Sequence, residues 1–338
     1  MKIVILSHGF SPDVGGLEIM SEFLANQFSK YGYEIRVLTW STTKGIDSNH
    51  QYSIVRKPKL SLIIKNLKWA DVIFENNPCL RLSWAALFFR KPHLIALHTW
   101  IARTDGKLAW QDYLKRFWLK KADAVIAVSN AMRKNCWQDA IVIPNPYRTE
   151  LFKKLSANNR SRDFVFLGRL VSDKGVHLAV QAIHNLIKSG IETNLTIIGS
   201  GPENDNLQAL VNKLNITPNV TFKGTLLGND LVETLNKHKY IIIPSIWEEP
   251  FGLVAIEAMA CGCIPIVSSG GGLPEAVGNA GIVFESGSLE RLTNAITKLY
   301  TTPALERKLL NAMPIHLNRH HSDVITNEYI DIIQKQIK

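Results

Sequence analysis

The chain has 338 residues, of which 46% are hydrophobic and 20% are charged. That length is typical of about two domains, and that composition is typical of a globular protein with buried cores. No apolar run in the sequence approaches the roughly 18 residues that a membrane-spanning helix needs. The first apolar run, residues 1–7, is too short for a signal peptide, so we interpret it as a strand.

Cysteine spacing indicates neither a disulfide framework nor a metal site. The four cysteines are Cys79, Cys136, Cys261 and Cys263. Cys261 and Cys263 lie near one predicted helix end, but no second pair completes a tetrahedral zinc site, so packing is the better interpretation. A reducing cytoplasm is the expected compartment.

The net charge of +10 is concentrated in residues 56–121, the basic aromatic segment. It holds 14 Lys and Arg against four Asp and Glu, and 10 of the 29 aromatic residues. Interleaved basic and aromatic residues suit an anionic membrane surface, and they also suit nucleic acid. Because no nucleic-acid-binding module is recognisable, we expect contact with a membrane and none with nucleic acid. A buried aromatic core with a basic rim is the alternative.

Six buried strands are predicted in the first half, at residues 2–7, 35–40, 72–75, 94–99, 124–129 and 141–144. Apolar runs without alternation are typical of parallel strands that are covered on both faces. A helix is predicted between Leu17 and Tyr31, directly after Gly15 and Gly16. Glycines at a helix N-terminus let an anion approach backbone N–H groups, although a plain tight turn explains them equally well.

His98 lies at the end of the fourth predicted strand. A neutral imidazole at this position could hydrogen-bond a sugar hydroxyl. A histidine that ends an apolar strand is more often a structural group, so both interpretations stay open.

Six further strands are predicted at residues 164–167, 195–198, 220–223, 241–244, 264–267 and 282–284. Strands that alternate with helices indicate an α/β protein with two doubly wound domains, which we place at residues 1–147 and 148–320. A polar connection follows at residues 153–163. Ligands of such folds bind at the carboxyl ends of the strands, so we expect the chemistry there, in a cleft between the two sheets.

Two cations lie on the loop after the first strand of the second domain. Arg169 follows the strand and Lys174 precedes the next helix. Together they could hold a diphosphate without a metal and neutralise it as a leaving group, whereas solvated surface charges are the alternative. Gly199, Thr225 and Leu226 follow the next two strands, where a nucleotide could rest, but turn positions explain them as well.

Glu249 and Glu257 flank the start of a predicted helix. Pro250, Phe251 and Gly252 fall between them, and the free backbone N–H groups at the helix N-terminus could bind an anion there. A carboxylate repels a nearby anion, so its presence beside an anion site needs a reason. A sugar or ribose hydroxyl next to a phosphate provides one, because the carboxylate could accept a hydrogen bond from it. The three glycines at residues 270–272 indicate unusual backbone angles or close ligand approach, with simple flexibility as the alternative.

This second-half pattern resembles retaining GT-B glycosyltransferases of family 4. The segment 244–262 with residues 270–275 carries the resemblance, and residues 168–175 are similar to the basic diphosphate motif of that family. The loop at residues 12–18 is similar to its N-terminal glycine loop. The resemblance covers nearly the whole chain and is most specific in the second half. Two departures are Thr99 where the family often has aspartate, and Pro146 where it commonly has glycine.

The resemblance implies a GT-B fold and the transfer of a hexose, with retention and without a metal or other cofactor, from a nucleoside diphosphate sugar to a hydroxyl of a glycan or lipid-linked acceptor. UDP-glucose or a related UDP-sugar is the expected donor. It implies that Arg169 and Lys174 hold the diphosphate, Glu249 contacts the sugar and Glu257 the ribose. It also implies that the N–H groups of Phe251, Gly252 and Leu253 face the sugar or the phosphate. His98 would lie near the reacting centre, and a C-terminal helix at about 321–338 would return to the first domain.

Two other functions stay open at this point. The chain could be a nucleotide-sugar-binding subunit, without activity of its own, in a membrane complex that assembles polysaccharide. A dinucleotide-dependent oxidoreductase shares the fold class, but the chain lacks the G-x-G-x-x-G fingerprint. For an enzyme of polysaccharide or glycolipid biosynthesis, we expect a cytoplasmic location, peripheral on the inner face of the membrane.

Overall fold

The structure is a computed structural model that describes residues 1–13, 15–42, 50–101, 109–155, 160 and 162–337. It divides into two compact units. Unit 1 comprises Met1–Asn145 and Asp323–Lys338, and unit 2 comprises Pro146–Ser322. Parts of the basic aromatic segment (102–108), of the polar connection (156–159 and 161) and of the first glycine loop (14) lie outside the described residues.

Unit 1 contains a parallel sheet whose described strands are Lys2–Ser7 (β1), Glu34–Thr39 (β2), Ser53–Arg56 (β3), Val72–Asn76 (β4), His93–Leu97 (β5), Ala124–Ala127 (β6) and Ile141–Val142 (β7). Their order across the sheet is β3-β2-β1-β4-β5-β6-β7. The six predicted strands are confirmed within a few residues. Strand β3 was not predicted, because four residues with polar ends at a sheet edge give little apolar signal. Strand β5 ends at Leu97, so His98 begins the loop.

Helices cover both faces of this sheet. They are Gly16–Lys30, Leu60–Trp69, Leu80–Ser83, Trp110–Leu119, Asn130–Cys136 and the C-terminal Ser322–Ile337, with a 3₁₀ turn at Trp84–Phe88. The C-terminal helix packs in the core of unit 1, where the ring of Tyr329 lies 5.9 Å from Phe74 and 6.5 Å from Phe28.

Unit 2 repeats the plan with the strands Arg162–Leu167 (β8), Leu195–Ile198 (β9), Val220–Phe222 (β10), His238–Ile243 (β11), Ile264–Ser268 (β12) and Ile282–Phe284 (β13). Their order is β10-β9-β8-β11-β12-β13, and all described pairs are parallel. The helices are Val176–Lys188, Asn204–Lys213, Gly228–Asn236, Leu253–Ala260, Leu273–Val277, Leu289–Thr301 and Pro303–Arg319. Short 3₁₀ turns lie at Ser172–Lys174, Thr217–Asn219 and Gly278–Ala280.

Each sheet reverses its strand order beside its first strand. In unit 2 the chain leaves β8 toward β9 and later returns to β11 on the other side. Loops that diverge at such a point leave a crevice at the carboxyl ends of the strands, which is where doubly wound folds bind ligands. The loop after β8 carries Arg169 and Lys174, and the loop after β11 carries Glu249.

None of the helices in the described part of the chain has both the length and the apolarity needed to cross a membrane.

Truncating the buried ring of Tyr329 should destabilise unit 1. Tyr329 is fully buried, and its hydroxyl has no hydrogen-bond partner among the described residues. We expect Tyr329→Ala to lower the free energy of unfolding by about 3–5 kcal/mol, the usual range for a large aromatic side chain. Tyr329→Phe keeps the ring and removes only the buried hydroxyl, so it should be neutral or stabilising. Urea denaturation checks both variants, and equal losses would contradict the packing role.

Candidate active site

The loop after β8 is fixed to its neighbours by backbone contacts. The N–H groups of Gly168 and Leu170 donate to the carbonyl oxygens of Ile198 and Ser200 at 3.0 and 2.9 Å. Gly175 has a φ of +64°, and a Cβ there would lie 2.1 Å from the carbonyl oxygen of Pro244. Only glycine fits this position, because its backbone presses directly on the chain that leaves β11.

A second set of contacts ties the same loop to the segment that carries Glu249. The N–H groups of Ile246 and Trp247 donate to the carbonyl oxygen of Asp173 at 2.8 and 3.1 Å. Asp173 directly precedes Lys174, so the two charged side chains are placed by backbones that contact each other.

Lys174 and Glu249 form an ion pair, from Nζ to Oε1. Their side chains are only 18% and 16% exposed, and the Ser245 hydroxyl donates to the same Oε1 at 2.8 Å. A charge-assisted hydrogen bond shielded from water is stronger than a surface ion pair. Lys174 and Glu249, which belong to separate motifs 75 positions apart in the sequence, are therefore direct partners. Arg169, on the same loop, has an exposed side chain.

The glycines at residues 270–272 pack against the backbone of Glu249. Gly271 has a φ of +63°, and a Cβ there would lie 2.1 Å from the carbonyl oxygen of Glu249. The N–H of Gly272 donates to that same oxygen at 2.7 Å. Among the alternatives raised by the sequence, unusual backbone angles are present, and the close approach is to the chain itself. These glycines thus hold the segment of Glu249 in place.

The helix Leu253–Ala260 begins at Gly252, which has a φ of +119°. A Cβ at Gly252 would lie 2.6 Å from the Leu273 side chain, so this helix start also requires glycine. The first N–H groups of a helix have no partner within it and carry a partial positive charge. Phe251, Gly252 and Leu253 therefore lie at this helix start, close to Glu249 in the chain, and their contact with an anion stays a prediction.

Glu257 lies on this helix and is only 6% exposed. Burial raises its pKa to about 7, and the Arg148 guanidinium, whose Nη2 lies 3.4 Å from Oε1, opposes part of that rise. Arg148 is a site residue that sequence reasoning missed. An acid on an otherwise apolar helix indicates that a cation lies nearby, but the sequence offers 39 Lys and Arg and no local spacing that selects Arg148.

The loops after β9 and β10 lie at the same edge of the sheet. Gly199 has a φ of +141°, and a Cβ there would lie 1.8 Å from the Gly168 carbonyl oxygen. Its N–H donates to the Gly224 carbonyl oxygen at 2.8 Å. Thr225 donates from Oγ1 to Ser200 Oγ at 3.0 Å, and Leu226 follows. Apart from Leu253 and Glu257, which lie on the helix Leu253–Ala260, the predicted donor residues of unit 2 therefore lie on four loops that contact one another.

The three remaining predicted residues, Gly15, Gly16 and His98, belong to unit 1. His98 is 7% exposed, and burial lowers its pKa to about 4, with an opposing effect from the Asn145 side chain. The imidazole is therefore neutral near pH 7. The backbone N–H of His98 donates to Asn77 Oδ1 at 2.6 Å, which fixes the loop after β5.

The turn at Gly15 and Gly16 opens the helix Gly16–Lys30, with Gly15 as its N-cap. The Glu18 carboxylate lies beside this turn, so close that a Cβ at Gly15 would come within 2.4 Å of Glu18 Oε2. An acid in the first turn of a helix stabilises the helix dipole. An anion role for the two glycines stays a prediction.

Among the described residues, no three His, Cys, Asp or Glu are grouped as metal ligands. The Cys261 and Cys263 thiols are buried and unlinked, and burial raises the pKa of each to about 12. Thiols that stay protonated are packing groups rather than nucleophiles.

Two family models match the chain. The model described as glycosyl transferases group 1 matches residues 147–313, and that of glycosyltransferase family 4 matches residues 14–151. The chain is a GT-B glycosyltransferase of family 4. The resemblance seen in the sequence and the predicted α/β fold class are thereby confirmed.

Relatives span most of this family 4 chain. An uncharacterized glycosyltransferase of Methanocaldococcus jannaschii is 25% identical over 82% of this chain and 83% of its own length. The N-acetyl-alpha-D-glucosaminyl L-malate synthase of Bacillus anthracis is 25% identical over 88% of each chain. The crystal structure of Anabaena HepE in complex with UDP has a TM-score of 0.85 at 20% identity, covering 99% of this chain and all of that one.

Ionisation of Glu257 should make stability depend on pH. Its carboxyl has a pKa of about 7 in the folded state against a reference of 4.5, so the folded state binds the proton more tightly. The resulting contribution is fully present below about pH 4.5 and is lost as pH rises through 7, by up to roughly 3 kcal/mol. Urea denaturation should show wild type losing stability relative to Glu257→Gln between pH 5 and pH 8. A pH-independent difference would contradict the assignment.

Removing the Arg148 guanidinium should shift the pH range in which stability is lost to higher pH. In Arg148→Gln the cation that opposes the effect of burial is gone, so the pKa of Glu257 rises further. Relative to an Arg148→Gln/Glu257→Gln double variant, the single variant should still be losing stability above pH 8. A pH range unchanged from wild type would show that Arg148 does not act on Glu257.

Proposed function

We propose that the chain transfers a hexose from a nucleoside diphosphate sugar to a hydroxyl of a glycan or lipid-linked acceptor, with retention and without a metal. The observation that carries this proposal is the placement of Lys174, Glu249 and the start of the helix Leu253–Ala260 on loops in mutual contact at the switch point of the unit 2 sheet. A cation and the N–H groups at a helix N-terminus suit a diphosphate, and a carboxylate suits the hydroxyls of the sugar joined to it.

The proposed step needs no protein base. The acceptor oxygen bonds to the anomeric carbon as the bond from that carbon to the diphosphate oxygen breaks. The departing diphosphate takes the acceptor's proton on the same face and keeps the bonding electron pair. Lys174 and Arg169 stabilise the negative charge that develops on the diphosphate. Glu249 accepts from sugar hydroxyls and Glu257 from ribose hydroxyls.

UDP-glucose or a related UDP-sugar is the proposed donor. HepE, which shares the fold, has been crystallised with UDP, with UDP and glucose, and with UDP-glucose. Thermal-shift measurements with UDP-, GDP- and ADP-glucose test the proposal, because a ligand at 100 times its Kd stabilises the native state by about 2.7 kcal/mol. We expect the UDP-sugar to raise Tm most. A larger rise with another base would replace the donor but not the reaction.

A lipid-linked acceptor would bring the chain to a membrane in polysaccharide or glycolipid biosynthesis. Peripheral contact with an anionic membrane, through the basic aromatic segment, is therefore part of the proposed function. Slow hydrolysis of the donor by the isolated protein would distinguish an enzyme from a binding subunit without activity.

Loss of the Lys174 cation should slow transfer. We expect Lys174→Ala to lower kcat by roughly 10²-fold, the usual effect of removing one group that stabilises transition-state charge. The matched control is Lys188→Ala, an exposed lysine at the end of the helix Val176–Lys188, which should leave kcat unchanged. Release of the nucleoside diphosphate measures both rates, and equal rates in the two variants would refute the role of Lys174.

Neutralising Glu249 should separate nucleotide binding from sugar recognition. In the resting protein Lys174 is paired with Glu249, so a diphosphate competes with that carboxylate for the cation. We expect Glu249→Gln to bind UDP at least as tightly as wild type while turnover of the UDP-sugar falls. Calorimetry with UDP and initial rates with the sugar donor check the two effects. Weaker UDP binding would show that Glu249 supports the nucleotide instead.

A further inference from the structure

The helix Trp110–Leu119 displays apolar side chains on the outside of unit 1. Trp110, Tyr113, Leu114 and Phe117 are 69, 60, 44 and 54% exposed. Their spacing of i, i+3, i+4 and i+7 places them along one side of the helix. A surface helix of a globular domain normally turns such a stripe toward the core. Here the inward side is held by other residues, and the stripe faces out.

A second group of exposed apolar side chains lies on the 3₁₀ turn Trp84–Phe88. Trp84, Leu87 and Phe88 are 43, 55 and 76% exposed. The Trp84 and Phe88 rings pack edge to face with centroids 6.2 Å apart. Single exposed apolar residues are common, but an aromatic pair beside a leucine forms a patch.

The buried carboxylate of Glu75, on β4, contacts the helix Trp110–Leu119 and the segment that precedes the helix Leu80–Ser83. The indole Nε1 of Trp118 donates to Oε2 at 2.8 Å, and the N–H of Cys79, which precedes the helix Leu80–Ser83, donates to Oε1 at 2.5 Å. His93 Nε2 lies 2.9 Å from Oε2. Ala85 and Ala86 of the 3₁₀ turn pack in the same core cluster as Ile73, and Ile73 and Glu75, two residues apart on β4, point to the same face of the sheet. Both elements therefore lie on that face. We call the exposed side chains of Trp84–Phe88 and Trp110–Leu119 the apolar face.

Positive charge surrounds the apolar face. Arg81 and Arg90 flank the 3₁₀ turn, and Lys120 and Lys121 follow the helix, all with exposed side chains. In the described residues between 80 and 121 the acidic side chains are limited to Asp112, which is buried. Exposed Trp, Tyr and Phe with a rim of Lys and Arg is the composition of surfaces that enter the headgroup region of anionic bilayers.

We propose that the apolar face docks on a bilayer surface with anionic headgroups, inserting Trp110, Phe117 and Phe88 while the rim cations contact the lipid phosphates. This inference deepens the membrane contact of the proposed function by naming the elements that make it, and it depends on geometry in unit 1 alone. Vesicle binding and donor hydrolysis are separate measurements, so failure of one leaves the other to be judged by itself.

The test is flotation of the full chain with vesicles of phosphatidylglycerol and phosphatidylcholine, or of phosphatidylcholine alone, at low and high salt. Wild type should float with the anionic vesicles at low salt and at least tenfold less at high salt or without the anionic lipid. Trp110→Glu/Phe117→Glu should reduce flotation at least tenfold, with unchanged Tm. Lys120→Glu/Lys121→Glu should do the same, because each basic residue near such a surface contributes about fivefold to binding.

The matched control is Leu310→Glu/Ile315→Glu, which places the same two charges on side chains that are 41 and 75% exposed on the helix Pro303–Arg319 of unit 2. It should float like wild type. Absence of wild-type flotation at low salt would overturn the proposal, as would equal losses in the control and the Trp110→Glu/Phe117→Glu variant. Light scattering that shows a dimer in wild type and a monomer in that variant, without flotation of either, would assign the face to a second copy of the chain instead.

Discussion

The contact of glycine backbones with two carbonyl oxygens determines the geometry of the unit 2 site. Gly175 presses on Pro244, and Gly271 presses on Glu249, each at a distance that leaves no room for a Cβ. Both glycines also have positive φ, so a side chain would add strain to the clash. These contacts hold the loops after β8, β11 and β12 in fixed positions relative to one another. Lys174 and Glu249 depend on these contacts, because they extend from the connections that follow strands, whereas Glu257 extends from the short helix Leu253–Ala260.

The two acids of the site are placed in different electrostatic environments. Glu249 is paired with a lysine and accepts from Ser245, whereas Glu257 is buried on an apolar helix beside a partly exposed arginine. Burial without full compensation raises the pKa of Glu257 to about 7. An acid/base pair of glycosidase type needs two carboxylates facing one bond, and these two carboxylates face different cations. The arrangement favours two separate contacts with polar groups of one ligand.

The strands of both sheets could be predicted from the sequence because each is a run of apolar residues whose signal is local. Strand β3 escaped, since an edge strand of four residues carries almost no such signal. The glycine positions were also visible, but what they approach was not, because the partners of Gly271 and Gly175 come from distant segments. For the same reason, neither the ion pair of Lys174 with Glu249 nor the contact of Arg148 with Glu257 could be predicted from the sequence. Side-chain pairing across 75 or 109 positions is a property of the folded chain.

The segments that join the two units are themselves bonded to each other. The Tyr147 N–H donates to the His320 carbonyl oxygen at 3.3 Å, and the Ser322 hydroxyl donates to the Tyr147 carbonyl oxygen at 3.1 Å. Arg148 is the next residue, and its guanidinium reaches Glu257. A displacement of Arg148 would change the electric field at the Glu257 carboxyl, whose pKa is about 7. The protonation of this buried acid therefore depends on a residue that directly follows the contact between the two connecting segments.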